Sequence, residues 1–229
     1  MGSGPWRTTS NVAAARKVKG LAKRTTALTA DGRSTLARLA DDLVVLPMTY
    51  VPRTPGMLSF CLSLLAVLKM AAGIGKCDFR GIFERARSDR DAIRWGRGTT
   101  YFLANYLGHP AAMYAAAKTY EFTGARAQPE LLEEFSHLEL FTLGKFDSVN
   151  SFSCFDPLGM SSRLSEVLGE CGYVAHVIPC RGDSDAERLF HAVFTSQLAI
   201  TERAKGIGLS KPRFLSAAGR LRASDYMIY

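Results

Sequence analysis

The chain has 229 residues, of which 47% are hydrophobic and 22% are charged. This length allows one sizeable globular domain or two small ones, and the composition excludes low-complexity and intrinsically disordered classes. The formal net charge of +8 permits an anionic ligand or nucleic acid. Most basic residues are nevertheless spread along the chain, without zinc-finger spacing or an RNA-recognition signature, so charge alone indicates attraction to anions and no specific partner.

The cysteines indicate a reducing compartment. They are odd in number and widely spaced, and no two form a C-x-x-C pair. Several stand in apolar runs, which predicts reduced, mostly buried thiols in a cytoplasmic protein. The four histidines are also scattered, so we expect no metal site. The five cysteines are Cys61, Cys77, Cys154, Cys171 and Cys180.

The first predicted element is an amphipathic helix that follows a Ser/Thr-rich segment. Thr8, Thr9 and Ser10 lie just before this helix. Free N–H groups and the helix dipole make such a position an anion site, so these three residues are candidate phosphate ligands. The alternative is ordinary N-capping by Ser10 or Asn11.

The next stretch predicts strand, helix and strand. Thr25–Thr29 is a short β-like run, and Ser34 is placed to cap a helix over Thr35–Ala40. Leu43–Leu46 is a continuous apolar run that ends at Pro47, as a buried parallel strand would. With the first helix, residues 11–47 therefore read helix–strand–helix–strand.

A long apolar helix is predicted after a proline-punctuated linker. The linker is Met48–Pro55 and the helix is Met57–Ala72. This helix contains Lys69 and is short for a membrane span, so we expect it to be buried in protein. The N-terminus shows no signal-peptide hydrophobic region. A second helix is predicted over Phe79–Ser88.

A glycine-rich turn is predicted to open the second half of the chain. Ala92–Trp95 is a strand candidate, and a helix is expected from Tyr101. A strand, a glycine-rich turn and a helix together form a plausible cradle for phosphate, although tight turns use the same residues. The residues of this turn are Gly96, Arg97, Gly98, Thr99 and Thr100.

Acidic, basic and imidazole side chains are concentrated around a helix that ends at Gly124. Lys118 and Glu121 are three residues apart and share one face of this helix. After Pro129, a short segment carries several glutamates and His137. A carboxylate, a cation and an imidazole are the groups needed to move protons on a carbon substrate. The alternative is an exposed ion pair beside a solvated acidic face.

The remaining elements alternate between strands and helices. Ser148–Phe155 and Tyr173–Ile178 are the predicted strands, and Leu158–Glu170 and Asp183–Gly206 are the predicted helices. This order indicates a parallel sheet covered on both faces, with right-handed crossovers.

The segment from Lys118 to His137 resembles a known family. Lys118-x-x-Glu121, a Gly-containing turn, and Glu134-Phe135-x-His137 resemble the second sugar isomerase (SIS) domain of glucosamine-6-phosphate synthases and of related archaeal phosphosugar isomerases and deaminases. In that family the glutamate shuttles a proton between sugar carbons 1 and 2. The resemblance implies that Glu121 is the base, that His137 opens the sugar ring, often from a neighbouring subunit, and that Lys118 contacts the substrate.

The resemblance also implies the fold and the domains. Ser34, Leu36, Ala40 and Asp41 match a phrase from the latter half of a SIS domain. The expected fold is α/β, a SIS-type parallel sheet flanked by helices on both faces. Residues 1–75 would form a partial SIS domain with a linker helix, and residues 76–229 a complete one. The tail departs from the family, because Ala217 stands where an active-site lysine is usual.

Two functions follow from the resemblance. The first is an enzyme: an aldose–ketose isomerase or a deaminating isomerase of a hexose or hexosamine 6-phosphate, which needs no cofactor. The second is a SIS module that binds a sugar phosphate without converting it, as a sensor or a subunit.

Nucleic acid is disfavoured and no membrane partner is expected. A histidine donated by a neighbouring subunit and an exposed sheet edge predict a homodimer or larger assembly. The phosphate would bind at residues 8–11 or at the turn 96–100.

Overall fold

The computed structural model describes residues 9–48, 55–216, 218–220 and 222–223. The chain divides into two compact units. The first contains residues 1–75 together with 217–229, and the second is Lys76–Ser216. The partial nature of the SIS domain predicted over residues 1–75 stays a prediction.

The first unit has the predicted order of helix, strand, helix and strand, followed by a long helix. β1 and β2 are parallel, with Ala27 paired to Leu43, and they form a two-stranded sheet. A parallel pair requires a crossover, which α2 provides here. The elements are α1 Thr9–Val18, β1 Thr26–Thr29, α2 Thr35–Leu39, β2 Asp42–Val45 and α3 Met57–Ala72.

Side-chain caps hold the turns of the first unit. Ser34 Oγ accepts a hydrogen bond from Ala37 N at 3.2 Å, so it caps α2 as predicted. The carboxylate of Asp41 accepts from both the backbone N and the Oγ1 of Thr25, each at 2.8 Å. The Thr25 hydroxyl is the main reason that the pKa of Asp41 lies below its usual value. These bonds tie the start of β1 to the start of β2.

Helix α3 has the bounds that its apolar run predicts, but none of its described residues is buried in this chain, so the expectation of a buried helix was wrong. It ends at Gly73, whose φ of 59° is left-handed and whose N–H bonds to Lys69 O at 3.2 Å. Glycine adopts this conformation without steric cost and is the usual residue after a helix end. Over the residues that the structure describes, no helix is both long and apolar enough to cross a membrane.

The second unit is a four-stranded parallel sheet in the order β4-β3-β5-β6. Every residue of β3 and β5 is buried, as expected for the two central strands. The predicted α/β class with a parallel sheet is therefore confirmed. The elements are α4 Phe79–Asp89, β3 Thr100–Ala104, α5 His109–Thr123, β4 Ala127–Leu131, α6 Leu132–His137, β5 Ser148–Phe152, α7 Met160–Glu170, β6 Val174–Ile178 and α8 Asp185–Gly206.

Helices cover both faces of this sheet. On one face, Tyr101, Leu103 and Val149 form a buried cluster with side chains of α6 and α7. On the other face, α5 packs on β3 and on α8, and α8 packs on α4. Phe102 and Phe152 stack within the sheet at 6.3 Å between ring centroids. Alternate residues of each strand thus enter two separate cores.

The structure corrects the prediction for residues 92–104. Arg90–Ala92 is a 3₁₀ turn, and the strand is Thr100–Ala104, where a helix was expected to begin. The prediction was wrong because the run from Tyr101 to Ala104 is apolar without interruption. In the structure this run is a strand between β4 and β5 that is buried on both faces. An uninterrupted apolar run has no periodicity that distinguishes a strand from a helix. Pro129 lies within β4, which is an edge strand, and proline is tolerated there.

Candidate functional site

All four strands of the second unit are parallel, so their carboxyl ends share one edge of the sheet. In open α/β sheets, ligands bind in the crevice outside this edge. Three loops form the edge here. They are Asn105–Gly108 after β3, Ser153–Gly159 after β5 and Pro179–Ser184 after β6.

Two of these loops contain unusual backbone conformations. Tyr106 and Phe155 have φ values of 40° and 59°, and among the described residues they are the only non-glycine residues with positive φ. Such conformations are uncommon and cluster at ligand sites and switch regions. Tyr106 is 78% exposed. The carboxyl edge is therefore one candidate ligand crevice. It is distinct from the pair of Lys118 and Glu121 described below, which lies toward the amino edge.

The loop after β3 was missed by the sequence interpretation. It leads from a buried strand into α5, whose start has no side-chain cap and has Pro110 in its first turn. The signal was the order of an apolar run, Gly108 and a proline, which is typical of a strand that turns into a helix. Gly108 allows a close approach, because a Cβ there would lie 3.0 Å from Cys154 Sγ.

The loop after β5 has its own cap. The carboxylate of Asp156 accepts hydrogen bonds from Met160 N at 2.9 Å and from Ser161 N at 2.8 Å. These bonds satisfy two N–H groups of the first turn of α7. Ser161 is buried, and its hydroxyl has no hydrogen-bond partner among the described residues.

Lys118 and Glu121 form an ion pair on α5. Lys118 Nζ lies 2.6 Å from Glu121 Oε2, and the lysine side chain is 9% exposed whereas that of the glutamate is 35% exposed. The same ammonium lies 5.5 Å from the centroid of the Tyr114 ring, and the Tyr114 hydroxyl accepts a hydrogen bond from Gln197 at 2.9 Å. A buried cation thus holds one carboxylate oxygen, and the carboxylate still reaches solvent.

His137 stands apart from this pair within one chain. It is the last residue of α6, it is exposed, and it follows the carboxyl end of β4. Helix α5 leads from the carboxyl end of β3 to the start of β4, so its last turn lies toward the opposite edge. Among the described residues, no hydrogen bond or ion pair joins His137 to Lys118 or Glu121.

The predicted phosphate cradle at residues 96–100 does not have the expected context. It precedes β3 and lies at the amino edge of the sheet, so the predicted order of strand, turn and helix was wrong. Its backbone N–H groups are also used internally: Gly96 N bonds to Ser148 Oγ at 3.0 Å and Thr99 N to Asp147 Oδ1 at 2.6 Å. Gly98 N bonds to a backbone carbonyl at 2.7 Å. Arg97 is exposed, and Thr100 is a buried residue of β3.

The glycines of this turn are explained by packing. A Cβ on Gly96 would lie 2.3 Å from the carbonyl oxygen of Phe146, and one on Gly98 would lie 2.2 Å from Asp147 Oδ1. No side chain fits at the first position without movement of the backbone. The glycines allow close approach of two chain segments, which is a structural role.

The other predicted ligand residues lie at the start of the first unit. Thr8 is outside the described residues. Thr9 begins α1 and Ser10 follows it as an exposed residue of the first turn, so these two residues are helical. Their role as phosphate ligands remains a prediction.

The tail brings an arginine to the end of α5. The described residues Arg213–Ser216 form a 3₁₀ turn that packs against α5. A Cβ on Gly124 would lie 2.7 Å from Arg213 Cγ, so the stem of this arginine covers the glycine that ends the helix. Ala217 lies outside the described residues. Arg220 and Arg222, the described basic residues that follow it, are exposed.

The fold defines the class of protein to which this chain is similar. No protein-family model and no curated protein matches the sequence. Solved structures do match, and they are phosphosugar isomerases, a deaminase and the C-terminal domain of an aminotransferase. The chain therefore has the α/β fold of sugar isomerase (SIS) domains, as the resemblance implied.

Three of these structures show the extent of the likeness. Glucosamine-6-phosphate deaminase from Thermotoga maritima matches with a TM-score of 0.65 and 19% identity over 82% of this chain and 63% of its own. The C-terminal domain of glucosamine-fructose-6-phosphate aminotransferase from Francisella tularensis gives 0.65 and 17%, over 87% and 68%. Tagatose-6-phosphate ketose/aldose isomerase from Escherichia coli gives 0.58 and 15%, over 81% and 62%. The chain thus spans about two thirds of these proteins, and the likeness establishes the fold.

Proposed function

We propose that this chain binds a hexose or hexosamine 6-phosphate and moves a proton between its carbons 1 and 2, as an aldose–ketose isomerase or a deaminating isomerase. The observation that carries the proposal is the pair of Lys118 and Glu121, in which a buried ammonium holds a carboxylate that still reaches solvent. The structural neighbours support the substrate class, because their names include phosphosugar isomerases and a deaminase.

Glu121 is the proposed base. An ionised carboxylate removes the proton from carbon 2 of the open-chain aldose and leaves an enediolate, while the hydroxyl proton on oxygen 2 passes to oxygen 1 by way of solvent. The same carboxyl group returns the proton from carbon 2 to carbon 1, so the carboxylate is regenerated and no cofactor is consumed. General acid–base catalysis of this kind contributes about 10²–10⁴-fold.

Lys118 is the proposed positioning group for that carboxylate. Its ammonium has one oxygen of Glu121 at 2.6 Å and the Tyr114 ring on another side. A side chain that is this buried has few alternative rotamers, so it fixes the carboxylate in one orientation. Fixed geometry is what a near-attack arrangement requires.

His137 is the proposed ring-opening group, supplied by a second copy of the chain. Its place on α6, beyond the carboxyl end of β4, separates it from Glu121 of the same chain, whereas its exposure leaves it free to enter another copy. An assembly of at least two chains is part of this proposal. The 96–100 turn is disfavoured as the phosphate site, because the N–H groups of that turn are already bonded.

The second candidate is a module that binds a sugar phosphate without converting it. It is favoured by the tail, where Ala217 stands at the position of the usual lysine. Without that lysine the site would lack a cation that a complete isomerase site would contain.

Proton NMR in deuterated water separates the two candidates. The purified chain would be incubated with fructose 6-phosphate, glucose 6-phosphate or glucosamine 6-phosphate. Deuterium at carbon 1 or 2, or a new sugar phosphate, is the result that we expect. Line broadening of the sugar signals without exchange would instead establish the binding module, and no effect on any of the three sugars would contradict both.

The variant Glu121→Gln tests the base. It should abolish turnover, by at least about 10²-fold, while it retains ligand line broadening. The matched control is Glu202→Gln, which removes the same type of pair, because Glu202 and Lys205 are also three apart and lie 2.9 Å from each other on an exposed helix face. Unchanged turnover in Glu121→Gln would remove this residue from the mechanism.

A further inference from the structure

Two cysteines lie opposite each other just beyond the ends of neighbouring strands. The register of β5 and β6 pairs Phe152 with Ile178, and Cys154 and Cys180 are each two residues further along. Two bonds continue the pairing past the strand ends: Ser153 N donates to Ile178 O, and Cys180 N donates to Ser153 Oγ, both at 3.0 Å. Neighbouring strands are about 4.8 Å apart, which lies within the range of Cα separations in disulfides.

The two thiols also interact directly. The hydrogen bond with Cys180 is the largest cause of the raised pKa of Cys154, ahead of burial. Cys154 is buried and Cys180 is half-buried, so only Cys180 is open to a reagent from solvent. Cys171 is the exposed cysteine of the unit and lies at the end of α7.

We propose that Cys154 and Cys180 form a reversible intramolecular disulfide across the carboxyl edge of the sheet. The oxidant is a low-molecular-weight disulfide such as glutathione disulfide. In total, two protein thiols and one small disulfide give one protein disulfide and two small thiols, so no other reductant or oxidant is needed.

The exposure of the two thiols sets the order of steps. The Cys180 thiolate attacks the small disulfide, forms a mixed disulfide and releases one small thiolate, which takes up a proton from solvent. The Cys154 thiol then loses its proton to solvent, and its thiolate attacks Cys180 Sγ and releases the second small thiolate. In the mixed disulfide Cys180 carries no thiol or charge, so the main influence that raises the pKa of Cys154 is gone. The nearby Arg188 favours the Cys154 thiolate.

The bond would join two loops of the carboxyl edge and would lie against a third. It joins the loop after β5 to the loop after β6. Cys154 Sγ also packs against Gly108 at the start of α5, where a Cβ would meet it at 3.0 Å. Oxidation would therefore fix the edge that contains the positive-φ residues Tyr106 and Phe155. This inference does not depend on Glu121 or on a sugar substrate.

Mass spectrometry of the folded, full-length chain tests the proposal. After incubation with glutathione disulfide, the expected product has lost two hydrogen atoms in mass at the Cys154–Cys180 pair and regains them with dithiothreitol. Trypsin alone is insufficient, because the peptide 164–181 contains both Cys171 and Cys180, whereas Cys154 is in the peptide 146–163. The variant Cys171→Ser resolves this, since it must still link the two peptides.

The variant Cys180→Ser is the second arm. It should lose the internal link and leave Cys154 reduced, while Cys171 still forms an adduct with glutathione. Circular dichroism before and after oxidation shows that the product is folded. Three results would overturn the proposal: a Cys154 that stays free in the folded wild type, a link that disappears in Cys171→Ser, or a link that forms only in urea.

Discussion

The two loops that flank β3 differ in the use of their backbone. The Gly96–Thr99 loop, at the amino end, gives its N–H groups to Ser148, Phe146 and Asp147. The Asn105–Gly108 loop, at the carboxyl end, turns on a bond within itself, from Gly108 N to Asn105 O at 2.8 Å. The first loop is hydrogen-bonded to a neighbouring segment and is called the sealed loop here. The second carries an exposed tyrosine with positive φ and is called the open loop.

This difference indicates that the position of a loop relative to its strand, more than its glycine content, decides whether its N–H groups are available to a ligand. A glycine-rich turn at the amino edge serves packing, because the adjoining segment occupies its donors. The loop at the carboxyl edge has one glycine and precedes a helix N-terminus. The first N–H groups of a helix have no partner within the helix and can bind an anion. A motif search weighted toward glycines selects the first loop, whereas topology selects the second.

The largest expected effect tests the sealed loop. Gly96→Ala should lower the free energy of unfolding by about 3 kcal/mol, because its Cβ would lie 2.3 Å from a backbone oxygen and the strands cannot separate without loss of bonds. Urea denaturation measures this effect. The control is Gly169→Ala on α7, where a Cβ meets nothing within 4 Å and the change should stabilise by about 0.5–1 kcal/mol. Equal stability of Gly96→Ala and wild type would mean that the loop is not packed as described.

Much of the fold could be predicted from local signals. The bounds of α3 follow from an apolar run that ends in a left-handed glycine, and the cap of α2 follows from Ser34. The alternation of strands and helices was enough to predict a parallel sheet. These features depend on residues close in sequence, so no knowledge of the tertiary arrangement was needed.

The candidate site was harder to predict because it depends on topology. Lys118 and Glu121 were found from their spacing of three, which the helix converts directly into contact. His137 is only 16 residues from Glu121, but a strand between them carries it to the other edge of the sheet. The facing cysteines, Cys154 and Cys180, were missed for the converse reason: strand register brings them together from 26 residues apart.

The next prediction concerns the carboxylate of Glu187, which we expect to stabilise part of the carboxyl edge. Its Oε1 accepts from Asp78 N at 3.1 Å and its Oε2 from Asp183 N, in the loop after β6, at 3.0 Å. Glu187→Gln retains one acceptor and turns an amide donor toward the other N–H, so we expect a loss of about 1–2 kcal/mol at pH 7.

The pH dependence of this variant has a definite sign. The N–H groups of Asp183 and Asp78 hold the pKa of Glu187 below its ordinary value of 4.5. A carboxylate with a lowered folded-state pKa contributes stability above its unfolded-state pKa and loses it as the pH falls through the folded value. The difference between wild type and Glu187→Gln should therefore shrink between pH 5 and pH 2. Glu166→Gln, an exposed carboxylate on α7, is the control and should change little at any pH. A constant difference at all pH values would contradict the proposed charge effect.

The smallest expected effect distinguishes the open loop from the sealed one. Gly108→Ala places a Cβ 3.0 Å from Cys154 Sγ, 3.2 Å from Ala104 Cβ and 3.3 Å from the backbone oxygen of Cys154, so these neighbours must shift by a few tenths of an ångström. We expect a loss of about 1 kcal/mol in urea denaturation, because the contacts relax only in part and Gly108 is the N-cap of α5, where glycine is preferred to alanine. In a Cys154→Ala background the same substitution should cost less, because the sulfur that it meets is gone, and a double-mutant cycle measures that coupling. A loss as large as that of Gly96→Ala, or no coupling to Cys154, would mean that both ends of β3 are packed in the same way.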